Sequence, residues 1–377
     1  MVEGSLNRRR FLQSSLAAPG LQSGNRVSLR EKFFGCIAGC HIGSSMGAPV
    51  EGWPYERIEK QYGTLDRLLS YEHYRNGWKR EPGTTEDGVE RQKLMLTAII
   101  EKQDRVNAED VRRAWVKHIK PESAGKVSEP FEATLLAMAK TPIPAADLGK
   151  YCDYAGLVSM ARSCHPIGLI NAGDIAGAIN DVYEVGQLYQ TANSRGLHWA
   201  AVTVAGIAAA TKPGATPDSV LGSVMDHCEK GVAREIDRAL KLTAACKDFR
   251  DLRSAFAPVY SGTGIPYAAS YANEVVTKAV CVFRMVKGVL KDALITGVNM
   301  GRDTDCLTAV AGGISGALTG GASLPPEWIK QVDYATTLNV FTNSQRTLRE
   351  HSDGLYNAYK ARLRKMRAFA EEMDQAY

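Results

Sequence analysis

The chain has 377 residues, 45% of them hydrophobic and 23% charged, the balance of an ordinary globular protein with enough length for a large core. Its net charge of +5 comes from 46 basic residues dispersed among 41 acidic ones. No basic tract exceeds Arg8-Arg9-Arg10, so charge lends no support to nucleic-acid binding.

In chain order, Asn7-Arg8-Arg9-Arg10-Phe11-Leu12-Gln13 has the form of a twin-arginine export signal. The mildly apolar stretch Ser14 to Leu21 that follows is short for a signal of this kind and is interrupted by Pro19 and Gly20. Residues 1–27 are therefore set apart as a leader-like segment, disordered or cleaved. They would send the protein to the periplasm if they work and leave it in the cytoplasm if not. Residues 28–377 are expected to form a single all-α domain, because no linker divides them.

Gly35, Gly39, Gly43 and Gly47 recur every four residues on the first helix. Glycine inside a helix costs about 0.5–1 kcal/mol relative to alanine, so such a ladder needs a compensating cause. Close packing of one helix backbone on another is that cause. Pro49 ends this helix, and Glu51 follows in the loop Val50-Glu51-Gly52-Trp53. Residues 86–102 place Val89, Leu96, Ile99 and Ile100 at helical period. Residues 108–119, 174–190, 196–211, 217–246 and 273–298 also read as helices. The Pro- and Gly-bearing stretches 76–84, 120–131, 140–145, 211–217 and 258–266 read as loops, and no hairpin signal stands out. A second ladder, Gly312, Gly316 and Gly320, runs beside Ala309, Gly313 and Ala317. The uncharged stretch Cys306 to Leu324 is long enough to span a bilayer. Its Gly, Ala, Ser and Thr content and the acids before it mark a buried central helix instead, so no stable membrane insertion is expected. Residues 343–375 alternate basic, acidic and apolar positions, as a solvated amphipathic helix does.

Two acidic runs stand at helix starts. Thr84-Thr85-Glu86-Asp87-Gly88 opens the helix at 89–102, where a capping threonine with acids at the positive end of the helix dipole is the plain explanation. Asn299-Met300-Gly301-Arg302-Asp303-Thr304-Asp305-Cys306 opens the second ladder helix. Aspartates at a spacing of two suit a hard cation. Acids at the mouth of a buried helix need a partner, because unpaired buried charge is expensive. A metal ion is such a partner. The eight cysteines are scattered with no Cys-x-x-Cys pair and read as small buried side chains. His165 and His198 read as structural histidines, and Ser261-Gly262-Thr263-Gly264 as a turn.

Taken together, these motifs resemble the ADP-ribosylglycohydrolase superfamily, which includes the dinitrogenase reductase-activating glycohydrolases. Its three marks occur here in order: the Gly-rich helix with its Pro-x-Glu loop (Gly39 to Glu51), the Thr-Asp-Asp motif (Thr85-Glu86-Asp87) and the late Gly-x-Asp-x-Asp-Thr motif (Gly301 to Cys306). Arg162 with Pro166-Ile167-Gly168, and His198 opening an Ala-rich helix, fit more loosely. The resemblance implies an orthogonal multi-helix bundle holding two divalent cations, magnesium or manganese, on Thr85, Glu86, Asp87, Asp303, Asp305 and Cys306. It implies Glu51, Asp87 and Asp303 as catalytic residues. The implied reaction is hydrolysis of the glycosidic bond at ribose C1 of a small-molecule or ADP-ribosylated substrate.

The departures are specific. Glu86 stands for aspartate, Gly88 for threonine, Cys306 for threonine, Ser44 for aspartate and Leu197 for threonine. A thiol at 306 favours manganese or zinc over magnesium. Glu90, Arg91 and Gln92 add polar residues one turn into the motif helix, where they are expected to shape a pocket. Because acids survive while hydroxyl partners do not, the alternative of a non-catalytic binding or structural protein retaining the fold also stands.

Overall fold

The computed structural model describes residues 27–72, 77, 79–120, 130–151, 155–260, 269–338 and 344–376. In chain order its α-helices are α1 (Leu29–Gly47), α2 (Tyr55–Tyr62), α3 (Asp87–Lys102), α4 (Ala108–His118), α5 (Pro130–Ala139), α6 (Ser159–Ser163), α7 (His165–Ile170), α8 (Ile175–Val185) and α9 (Arg195–Ala210). They continue with α10 (Pro217–His227), α11 (Lys230–Leu242), α12 (Phe249–Phe256), α13 (Ala272–Met285), α14 (Leu290–Val298), α15 (Thr304–Thr319), α16 (Pro326–Thr337) and α17 (Leu348–Ala376). The leader-like segment lies, except for Val27, outside the described residues, as does the turn at 261–264. The fold is all-α. Among the described residues, no helix is long and apolar enough to cross a membrane.

Two helices expected to be continuous are broken. The stretch 217–246 divides into α10 and α11, because the Glu229 carboxylate turns to accept hydrogen bonds from the Gly231 and Val232 amides and starts a new helix. The stretch 273–298 divides into α13 and α14 at Lys287 and Gly288, both at positive φ, the usual left-handed end of a helix. The loop expected at 76–84 contains part of a small hairpin, in which β1 (Tyr71–Glu72) pairs antiparallel with β2 (Lys79–Arg80). Two residues per strand are too few to leave an alternating pattern in sequence.

The centre of the bundle is the pair α1 and α15. Residues 32–47 of α1 and 304–318 of α15 are buried on every face, and α9, α13 and α14 pack around α15 while α16 and α17 pack on α1. The two glycine ladders face each other. A methyl at Gly39 would lie 2.4 Å from the Gly312 carbonyl oxygen, and one at Gly316 would lie 2.0 Å from that of Gly35. At the last rung a methyl at Gly47 would lie 2.4 Å from the Asp305 Cα. The backbones therefore touch along the whole ladder, and the lost helix propensity is offset by this contact. The same rungs bring the C-terminal end of α1 against the N-terminal end of α15, where the acids are.

Candidate active site

The late motif is shaped by backbone before side chains. Gly301 and Arg302 both adopt positive φ, 73° and 67°, so the chain turns sharply between α14 and α15. In this turn the Gly52 amide donates to the Arg302 carbonyl at 2.8 Å, and the Arg302 amide donates to the Trp53 carbonyl at 2.7 Å. These bonds lock the loop carrying Glu51 onto the turn carrying Asp303. The Thr304 hydroxyl donates to the Gly47 carbonyl at 2.8 Å, giving a partner to a carbonyl that helix α1 leaves unpaired at its end. Asp303 is the N-cap of α15, its Oδ1 accepting from the Cys306 amide at 3.3 Å.

The early motif is held differently. Glu86, not a threonine, takes the N-cap position of α3, and its side chain makes no capping bond. Its amide donates instead to the Ser44 hydroxyl of α1 at 3.3 Å. Its carboxylate accepts from the Tyr71 hydroxyl at 2.5 Å and lies 3.7 Å from the fully buried Arg80 guanidinium; the hairpin supplies both. The Thr85 hydroxyl donates to Glu90 at 2.7 Å and accepts from the Lys93 ammonium at 3.2 Å. Asp87 accepts from the Gly88 amide at 2.8 Å, from Arg91 at 3.0 Å and from Arg162 of α6 at 2.5 Å.

Electrostatics draw these groups into one cluster. Burial raises the Glu51 carboxyl well above its ordinary range, and Asp303, Glu86 and Asp87 add to the effect while Arg162 opposes it. Asp305 is raised well above its range by burial, then by Glu51 and Asp303. Glu86 is pushed up to about 7, chiefly by burial, against the lowering effect of Arg80 and Tyr71. Asp87 alone among these is lowered, because Arg162, Arg91 and the Gly88 amide outweigh its burial. Burial also raises the Cys306 thiol well above its usual value, which keeps it neutral.

Among the described residues, one group could hold a metal ion. Asp303, Asp305 and Cys306 offer ligand atoms within 4.8 Å of one another. Asp303 Oδ2 and Asp305 Oδ1 are buried without a hydrogen-bond partner, which carboxylate oxygens rarely tolerate unless something else neutralises them. The acids named at the outset are thus brought together, with Glu51 beside them and the half-buried edge of its loop facing outward.

Some residues were legible only in part. Arg162, matched loosely to a family stretch, lies inside the cluster. Tyr71 and Arg80 carry no sequence signal, since their role depends on a hairpin too short to read. Glu90, Arg91 and Gln92, expected to shape a pocket, are fully buried and bonded within the protein. Gln92 donates to Cys40 at 3.0 Å and to His165 at 3.1 Å and accepts from His41 at 2.9 Å. Because the other His165 nitrogen faces the Ala309 carbonyl at 3.2 Å, the ring proton sits there and Nδ1 accepts. His198 bonds the Asn193 carbonyl, and Tyr260 bonds Glu235. No two of the described cysteines are joined; Cys36, Cys40, Cys164, Cys281 and Cys306 are buried, while Cys228 and Cys246 are partly exposed.

A profile of the ADP-ribosylglycohydrolase family matches residues 25–362. An uncharacterized protein of Archaeoglobus fulgidus is 23% identical over 310 residues, covering 80% of this chain and 92% of its own length. The uncharacterized protein YegU of Escherichia coli (strain K12) is 23% identical over 347 residues, covering 82% and 94%. Among solved structures, an ADP-ribosylglycohydrolase-related protein complex superposes with a TM-score of 0.61 at 14% identity, over 88% of this chain and 98% of that one.

Proposed function

The chain belongs to the ADP-ribosylglycohydrolase family, and on that premise we propose that it is a divalent-metal-dependent glycosidase that hydrolyses the bond at ribose C1 of an ADP-ribosyl or ribosyl-nucleoside substrate. Family membership supports a glycosidase-like hydrolase in general. The observation that carries the finer reading is the pair of buried, unpartnered oxygens on Asp303 and Asp305 beside the raised carboxyl of Glu51.

Asp303 and Asp305, with Cys306 beside them, would hold a magnesium or manganese ion, which when bound supplies a grip on the ribose hydroxyls and a more acidic water. The rest falls to the chain. As the C1–leaving-group bond breaks, positive charge develops on the ribose ring, and the negative charge of the acid cluster would stabilise it. Glu51 enters protonated, because burial among acids opposes its ionisation, and it delivers that proton to the departing atom. Water bonds to C1 and gives up its proton to the Glu51 carboxylate just formed, which restores the starting state. Asp87, held by two arginines, orients the cluster.

The test is incubation of the purified protein with ADP-ribosylated arginine and serine peptides and a panel of nucleosides, in manganese or in EDTA. Release of ADP-ribose or ribose in manganese alone is expected; release from nothing in the panel refutes the reading. A second reading, a binding protein that retains the fold, draws on the engagement of Glu86 and Asp87 by protein cations. Tight binding of free ADP-ribose without cleavage of any panel member would favour it.

A further inference from the structure

The family resemblance implies two cations, yet the two acidic runs are not in the same condition. On the late run, carboxylate oxygens of Asp303 and Asp305 lack partners. On the early run, Thr85, Glu86 and Asp87 are all engaged by protein donors. The Arg162 guanidinium reaches between the two runs, donating to Asp87 Oδ2 at 2.5 Å and to Cys306 Sγ at 3.2 Å.

Three of the sequence departures explain how it gets there. A side-chain carbon at Gly88 would lie 2.6 Å from Arg162 Cδ and 2.8 Å from its Nε. A side chain at 88 would therefore push the arginine stem off this path across the first turn of α3. Cys306 presents a large, polarisable sulfur as acceptor where the family has a hydroxyl. The third departure, Glu86, is long enough to meet Tyr71 and Arg80 of the hairpin. The arginine ion pairs fall on the early run. Arg80 pairs with Glu86, and Arg91 and Arg162 pair with Asp87.

We propose that Arg162, admitted by Gly88, permanently occupies the place of the second cation, so that the site binds a single divalent ion at Asp303 and Asp305. The inference rests on the metal-dependent reading above. Arg162 acts as a fixed positive charge that neither dissociates nor exchanges water. One-half of the site therefore no longer depends on metal supply.

Equilibration of the full-length protein with manganese, desalting and elemental analysis give the ion count, and electron paramagnetic resonance tells isolated from coupled manganese. The wild type is expected to hold one ion per chain with an uncoupled six-line signal, and Asp303→Asn to hold none. Arg162→Ala combined with Cys306→Thr is expected to take up a second ion and show a coupled signal, whereas Arg162→Lys keeps the count at one. Two ions in the wild type overturn the inference while leaving the metal-dependent reading intact. No ion in a folded wild type overturns the reading beneath it. A folded double variant that still holds one ion also overturns the assignment of that place to Arg162. If the double variant does not fold, the wild-type count and its signal decide alone.

Discussion

The ladder makes a prediction whose sign depends on tertiary contact. Gly39→Ala adds one methyl inside α1, and helix propensity alone favours the change by about 1 kcal/mol. In this fold the methyl would lie 2.4 Å from the Gly312 carbonyl oxygen and 2.7 Å from Leu290 Cδ1. An unstrained contact needs about 3.5 Å, so α1 and α15 must separate by roughly 1 Å. The leucine can rotate away, but the carbonyl is backbone and cannot. Overpacking of this kind costs about 1–3 kcal/mol where side chains can yield, and the upper figure applies where they cannot. Subtracting the propensity gain leaves a net loss of about 2 kcal/mol. Gly222→Ala is the control: Gly222 lies within α10, exposed, with nothing within 4 Å of the added methyl, and should gain about 1 kcal/mol. Urea unfolding monitored by circular dichroism reads both variants from the midpoint, provided the slope is unchanged. A Gly39→Ala protein as stable as the wild type would refute backbone-to-backbone packing of the two helices.

Three further outcomes follow from the site. Glu51→Gln should lower kcat by about 100-fold or more on any substrate that is cleaved, the usual contribution of a positioned acid, while manganese binding measured by calorimetry persists; an unchanged kcat removes Glu51 from proton transfer. Gly301→Ala places a side chain on a residue at φ 73° and 2.7 Å from the Tyr55 amide, so it should pull the Glu51 loop off the late motif and weaken manganese binding by at least tenfold, as calorimetry would show. His165 is lowered by burial from 6.5 to about 4. Because the folded value lies below the unfolded one, its contribution is complete above pH 6.5 and is lost as pH falls through 4, about 3 kcal/mol in all. His41 and His351, also lowered by burial, act in the same direction. Glu51, Glu86 and Asp305, raised by burial, act in the opposite direction, so the readout is the difference between proteins: the urea midpoint of His165→Gln should shift less towards low stability from pH 7 to 4 than that of the wild type, and identical pH profiles would remove His165 from the acid sensitivity.

Much of this protein was legible in its residues because the signals are local or periodic. The four-residue glycine spacing requires a close partner helix, and the only other such ladder in the chain is that partner. Acids at the mouth of an apolar helix require compensation, which points to Asp303 and Asp305 without any coordinates. The broken helices at Glu229 and Lys287 escaped because a cap made by a longer side chain, or a left-handed turn at a lysine beside a glycine, leaves no pattern distinct from ordinary surface residues.

What compensates each acid was a matter for the tertiary structure alone. Thr85, Glu86 and Asp87 read as equals of Asp303 and Asp305 in one dimension. In three, Tyr71 and Arg80 arrive on Glu86 from a hairpin, and Arg162 arrives on Asp87 from a helix some 75 residues away in sequence. Those contacts depend on which side chains a fold brings within about 4 Å, and no local spacing encodes that distance. The sequence by itself determined that carboxylates would meet at the ends of two glycine-faced helices. Which of them are paired with arginine, and which keep an oxygen without a hydrogen-bond partner, was decided by packing.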